Sequence, residues 1–175
     1  YPDANSTMRL TYGKVKEYQA QEAVFYDYYT TLTGMIDKED STNSEFIVPA
    51  SLKELESNRE YGKYADRDGS LRVNFISNND ITGGNSGSPV INAWGEIIGT
   101  AFDGNWEAMS GDIYFEPNIQ RTISVDIRYA LFIIDKYAGA KHLIDEMNVV
   151  SERHIEEKSS KDEKQDMPEA VPSMR

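Results

Sequence analysis

The sequence predicts a mostly-β domain, a β-barrel with a C-terminal helix. Three observations predict it. Short apolar runs with alternating polarity recur through the first two thirds of the chain. Two of them flank Asn92-Ala93-Trp94-Gly95, a hairpin turn with Gly last. A helical period of apolar residues begins only after Asp126. An α/β sheet would instead alternate strands with helices along the chain.

Taken in order, Met8, Leu10 and Tyr12 alternate with Thr7, Arg9 and Thr11, the period of a half-buried strand. The aromatic run Phe25-Tyr26-Asp27-Tyr28-Tyr29 reads as core and barrel rim. Phe46-Ile47-Val48 is a short apolar run ended by Pro49. Ser51-Leu52-Lys53-Glu54 has the spacing of a capping box and opens a short helix to about Ser57. Leu71, Val73, Phe75 and Ser77 form a second alternating run. Pro89-Val90-Ile91 and Glu96 to Phe102 are the arms of the hairpin. Ile113-Tyr114-Phe115 and Thr122-Ile123-Ser124-Val125 supply two more strands. Ile127, Ala130, Leu131, Ile134 and Tyr137 then share one helical face, ending near Gly139, and Leu143, Ile144 and Met147 continue it in a second short stretch.

The chain has 175 residues, about one domain. Residues 1–150 read as one folded unit and 151–175 as a charged, disordered tail, with seven acids and five bases among its 25 residues. Thirty acidic residues against 18 basic ones give a net charge of −12, which argues against nucleic-acid binding, since that requires a basic face. The absence of cysteine excludes disulfides, thiolate metal sites and thiol nucleophiles. No apolar run approaches the roughly 20 residues of a membrane span, and no metal-ligand or phosphate-loop spacing is present, so neither metal nor cofactor is expected. The start at Tyr1, without a signal peptide, suggests a fragment or a processed product.

Chemistry concentrates in Thr82-Gly83-Gly84-Asn85-Ser86-Gly87-Ser88-Pro89-Val90. A nucleophilic serine must sit on a tight turn so that its hydroxyl can meet a base, and glycines allow that backbone. The N–H groups of Gly84 and Ser86 would then point together as an oxyanion hole. Pro89 leads into a strand and a hairpin follows. The pattern resembles the Gly-Asp-Ser-Gly-Gly-Pro signature of chymotrypsin-fold serine peptidases, with Asn85 in place of the Asp. That Asp pairs with a newly cut N-terminus in the digestive enzymes. A neutral amide cannot form the ion pair, so no such activation switch is expected here.

Longer motifs extend the resemblance. Asn79 to Pro89, Ala101-Phe102-Asp103-Gly104-Asn105-Trp106-Glu107-Ala108-Met109, Gln120 to Tyr129, Tyr1-Pro2-Asp3-Ala4-Asn5 and Arg9-Leu10-Thr11-Tyr12-Gly13 look like the bacterial serine dipeptidyl-peptidases 7 and 11. The resemblance runs from residue 1 to about 149. It implies an exopeptidase that releases dipeptides from free N-termini of oligopeptides. It also implies a double β-barrel of chymotrypsin type with an inserted helical domain, a homodimer, and a periplasmic, cell-surface or secreted location. This chain would be the second, C-terminal barrel. Ser86 falls on the nucleophile, and Gly84 and Ser86 on the oxyanion-hole amides. Asp103 falls on the carboxylate that holds the substrate's α-amino group. Gly104 falls where Arg selects acidic side chains, and Gly there implies the type that prefers apolar or bulky residues before the cut.

His142 and His154 are the only histidines. His142 follows the nucleophile, whereas this family orders its triad His, Asp, Ser, and it reads as a surface or packing residue. His154 lies in the charged tail, where Glu152, Glu156 and Glu157 read as a solvated face. The catalytic His and Asp are therefore expected outside the chain, and the isolated fragment is expected to be inactive. Two other readings remain. Asp80 precedes Ser86 by six residues, the spacing of the pocket-bottom Asp of trypsin-like endopeptidases, or it simply orders the turn. A non-catalytic peptide-binding fragment that exposes an apolar face is the third. Trp94 reads as exposed at the hairpin tip, and Trp106 as a candidate wall of the cleft.

Overall fold

A computed structural model describes residues 8–111 and 113–151. The calls on Tyr1 to Asn5, on His154 and on the acids of the 152–175 tail lie outside these residues.

The described residues are mostly β, with a few short helices. A hairpin of β1 (Tyr18–Gln21) and β2 (Val24–Tyr26) stands apart from an antiparallel five-stranded sheet. That sheet is ordered β3 (Tyr29–Thr31), β4 (Arg72–Ser77), β7 (Thr122–Asp126), β6 (Ile97–Gly104), β5 (Pro89–Ile91). Between β3 and β4 the chain forms α1 (Leu32–Ile36) and α2 (Ala50–Ser57), and after β7 it forms α3 (Ile127–Phe132), a π turn at Ile133–Tyr137 and α4 (Lys141–Asp145).

The alternation read at Leu71, Val73, Phe75 and Ser77 is visible as burial, since all four are buried. Phe75 pairs with Ser124 and Ser77 with Thr122, and all four are buried on one face of the sheet. The apolar core lies where β4 meets the helices: Leu32, Leu52, Leu71, Val73, Leu131, Phe132 and Ile144 pack together there. The C-terminal helix starts as expected, because Asp126 caps α3 by accepting from the Arg128 amide at 2.9 Å. It stops at Gly139, which takes φ +66.

Several local expectations fail. Residues 8–14 form no strand, and Met8 and Tyr12 are 95% and 90% exposed; the chain meets β4 and its end as it leaves this segment, through the Val15–Ser77 bridge, the Lys16 amide on the Ile76 carbonyl at 3.3 Å and the Asn78 amide on the Lys14 carbonyl at 3.1 Å. An alternating pattern needs a neighbouring strand, and none of the described strands pairs with it. Residues 113–115 are not a strand either. The amides of Ile113 and Tyr114 both donate to the Ser110 carbonyl, so these residues fold back on the end of the 3₁₀ turn at Trp106–Ser110 instead of pairing with a strand. The capping box does not form: α2 starts two residues earlier, with Pro49 rather than Ser51 as its cap and the Leu52 and Lys53 amides on the Pro49 carbonyl. The Lys53 ammonium is instead spent on Glu39, at 2.8 Å.

Candidate active site

Ser86 sits on the turn that enters β5. Asn85 closes this turn twice: its side-chain oxygen accepts from the Thr82 amide at 3.0 Å, and its own amide donates to the Thr82 carbonyl at 3.2 Å. Gly84 and Gly87 take φ +92 and +86, a region that only glycine enters without strain. Asn85 is buried beneath them while Ser86 is exposed at the crest. The residue that breaks the digestive-enzyme pattern thus acts here as the turn's internal tie.

The turn is laced to β6. The Gly87 amide donates to the Ala101 carbonyl at 2.8 Å, the Ala101 amide to the Ser88 carbonyl at 3.0 Å, and the Ser86 hydroxyl to the Phe102 carbonyl at 3.2 Å. At that point the β6–β7 register slips by one residue. Ala101 pairs with Ser124, but Asp103, not Phe102, pairs with Ile123. Phe102 is the extra residue of a β-bulge. In unbroken register Asp103 would face Thr122 on the buried side of the sheet. The bulge turns it over, so its carboxylate is exposed and Gly104 takes the place opposite Thr122. The Asp103 carboxylate then accepts from the Gly104 amide at 2.8 Å.

Beyond Gly104 the chain is held by a cluster that periodicity and motif do not single out. Asn105 donates its amide to the Arg121 carbonyl at 2.9 Å, and its side-chain oxygen accepts from the Arg121 amide at 2.8 Å. Its side-chain nitrogen donates to the Ile119 carbonyl at 2.7 Å and to Glu107 at 2.8 Å. Arg121 is buried to 1% exposure without a carboxylate: its guanidinium donates to the carbonyls of Lys16, Glu17, Pro117, Asn118 and Gln120. Burial pulls its pKa down from the usual arginine value. The Tyr18 hydroxyl donates to Glu107 at 3.0 Å, and burial together with that carboxylate raises the phenol's pKa.

The geometry therefore brings Ser86, Asp103 and Gly104 to one stretch of β6. It does not bring His142 there: that residue is exposed on α4, which packs on the π turn and α3 side of the molecule. Behind the turn a cleft of about 700 Å³ is lined by Gly84, Asn85 and Ser88 together with Ser77 and residues 8–11; neither Ser86 nor Asp103 lines it. Trp94 is 56% and Trp106 85% exposed. The Asp80 amide donates to the Thr11 hydroxyl at 3.1 Å, which orders the approach to the turn. Among the described residues no group of His, Cys, Asp or Glu has the arrangement of a metal site, and no helix is long and apolar enough to cross a membrane.

Comparison with known proteins gives concordant matches. The family model described as Peptidase S46 matches residues 1–149. A dipeptidyl-peptidase 7 of Phocaeicola vulgatus is 63% identical over 149 residues, covering 85% of this chain and 21% of the relative. An Asp/Glu-specific dipeptidyl-peptidase of Porphyromonas endodontalis is 55% identical over 146 residues, covering 83% and 20%. The crystal structure of Porphyromonas endodontalis DPP11 in complex with the dipeptide Arg-Asp superposes with a TM-score of 0.79 at 51% identity, over 81% of this chain and 20% of that one. The chain thus spans about one fifth of the length of these relatives.

Proposed function

Because the chain belongs to the peptidase S46 family, we propose that it is the nucleophile-bearing, C-terminal barrel portion of a longer, chymotrypsin-like serine dipeptidyl-peptidase. The observation that carries this reading is the joint anchoring of the Ser86 turn and the re-aimed Asp103 to one bulge in β6. A peptidase that counts two residues from an amino terminus needs a nucleophile and a fixed anionic contact at a set separation.

In this reading the Ser86 hydroxyl attacks the carbonyl of the second residue, and its proton passes to a histidine supplied from outside the chain, since His142 sits on the far helix. The amides of Asn85, Gly87 and Ser88 are engaged with the carbonyls of Thr82, Ala101 and Asn85. Gly84 and Ser86 are the residues whose amides would meet the oxyanion. Asp103 pairs with the substrate's α-ammonium group. Gly104 leaves the pocket for the residue before the cut uncharged, which favours apolar or bulky side chains over acidic ones. The complete enzyme acts as a homodimer in the periplasm or at the cell surface, on oligopeptides with free amino termini.

The test uses the complete peptidase on fluorogenic dipeptides with free and acetylated amino termini, beside Ser86→Ala. We expect cleavage of free-amino, apolar dipeptides, falling by at least about a thousandfold in the variant. Cleavage of acetylated substrates would establish an endopeptidase instead, and undiminished turnover by Ser86→Ala would remove this serine from the mechanism.

A further inference from the structure

Asn105 imitates a ladder residue with its side chain. Its backbone amide reaches the Arg121 carbonyl, as a β6–β7 pair would, but the return bond from the Arg121 amide goes to the side-chain oxygen at 2.8 Å. Both side-chain amide protons are used as well, on Ile119 and Glu107. The bulge at Phe102 is thereby fixed from both sides, by the Ala101–Ser124 pair before it and the Asn105–Arg121 bracket after it. Between them the Asp103–Ile123 and Gly104–Thr122 pairs run in the shifted register, and a one-residue slip would carry every side chain to the opposite face. In the slipped register Asp103 would stand opposite Thr122, away from the side on which it is now exposed.

We propose that Asn105 is a positioning residue for substrate binding: its side-chain bracket on Arg121 and Ile119 locks the shifted register that presents Asp103 to the substrate's α-ammonium group. The inference rests on the reading of Asp103 as that contact. Asn105 acts through Asp103, since its own side-chain groups are engaged within the protein. Arg121 supports the bracket from below, since its five carbonyl partners join residues 16–17 to residues 117–120 and hold the strap against which Asn105 closes.

A double-mutant cycle in the complete peptidase tests this. Wild type, Asp103→Asn, Asn105→Ala and the double variant are compared on a free-amino apolar dipeptide substrate. Labelling of Ser86 by a fluorophosphonate reports the nucleophile, and thermal melting reports folding. Asp103→Asn should raise KM about 10- to 100-fold with kcat little changed, as expected for a charged contact made equally in ground and transition states. Asn105→Ala should raise KM about tenfold, leave Ser86 labelling at the wild-type rate, and add nothing in the Asp103→Asn background. Should Asn105→Ala fail to fold, Asn105→Ser, a neutral polar residue whose shorter side chain cannot bridge Arg121 and Ile119, carries the same comparison. An unchanged KM in the Asn105 variants, or a KM rise that persists in the Asp103→Asn background, overturns the proposal. A wild-type KM for Asp103→Asn overturns the underlying reading of Asp103 and this proposal with it.

Discussion

Gly104 has almost no spare room on its own side of the chain. A Cβ there would stand 3.1 Å from the Ala108 Cβ and 3.7 Å from the Arg121 carbonyl oxygen. A larger side chain is admitted only if Ala108 yields by a few tenths of an ångström. Gly104→Arg in the complete enzyme should invert the preference. The ratio of kcat/KM for acidic over apolar residues before the cut should rise at least about tenfold, as expected for a new charge-assisted contact, read with paired fluorogenic dipeptides. Short ordered motifs single out Ser86, Gly84, Asp103 and Gly104 in the sequence, and the structure brings Ser86, Asp103 and Gly104 to one stretch of β6. Asn105 stood inside one such motif with no role visible, and Arg121 likewise. Their functions depend on Lys16, Glu17 and Ile119, and a contact between residues 105 positions apart leaves no local pattern.

At the level of elements, the segments that could be read are those whose partners lie within the chain. β4 buries the residues its alternation singles out, β7 and the β5–β6 hairpin form where strands were read, and α3 buries Leu131 from the expected face, with Phe132 beside it. Tyr137, assigned to the same face, is 39% exposed because the helix widens into a π turn at Ile133 and rotates the residues after it. The alternation at residues 8–12 and the apolar triplet at 113–115 carry the same signal as β4, but no described strand receives them. One glycine is fixed at this scale rather than at the residue's own. Gly99 lies where β6 crosses Phe75, and a Cβ there would come within 2.5 Å of the Val125 carbonyl oxygen and 2.6 Å of the Phe75 ring. Gly99→Ala must spread β6 from β7, and should lower stability by about 1–3 kcal/mol, measured as a shift in the urea midpoint at unchanged slope.

Over the whole molecule, two polar clusters fasten the sheet, and they are chemically unlike. At the β4 end, Arg72 binds Asp66 at 2.8 Å and Asp68 at 2.6 Å, and its guanidinium lies 3.3 Å from the centre of the Tyr29 ring. Arg128 reaches Asp66 at 3.2 Å and Asp126 at 2.7 Å. Burial would raise the Asp66 carboxyl, but the Arg72 hydrogen bond, the Arg67 amide and the two guanidinium charges outweigh it and hold its pKa at about 2. The folded value is depressed, so the stabilisation is present above about pH 4, where the unfolded carboxylate is ionised, and is lost as pH falls toward 2. The loss should amount to about 1–2 kcal/mol between those pH values, and Asp66→Asn should flatten that part of the stability profile in urea melts. At the β6 end, Arg121 is satisfied by carbonyl dipoles, and the two bonds that join it to Asn105 run from backbone amides to a carbonyl and a carboxamide oxygen, none of which takes up a proton in that range; the Glu107 carboxylate meets only the Asn105 side-chain nitrogen at the cluster's edge. Mild acid is therefore a selective reagent for this sheet. It should speed amide exchange first around Arg72 and Arg128, while the protons on the Asn105 and Arg121 amides still exchange slowly and the edge bearing Asp103 keeps its shape.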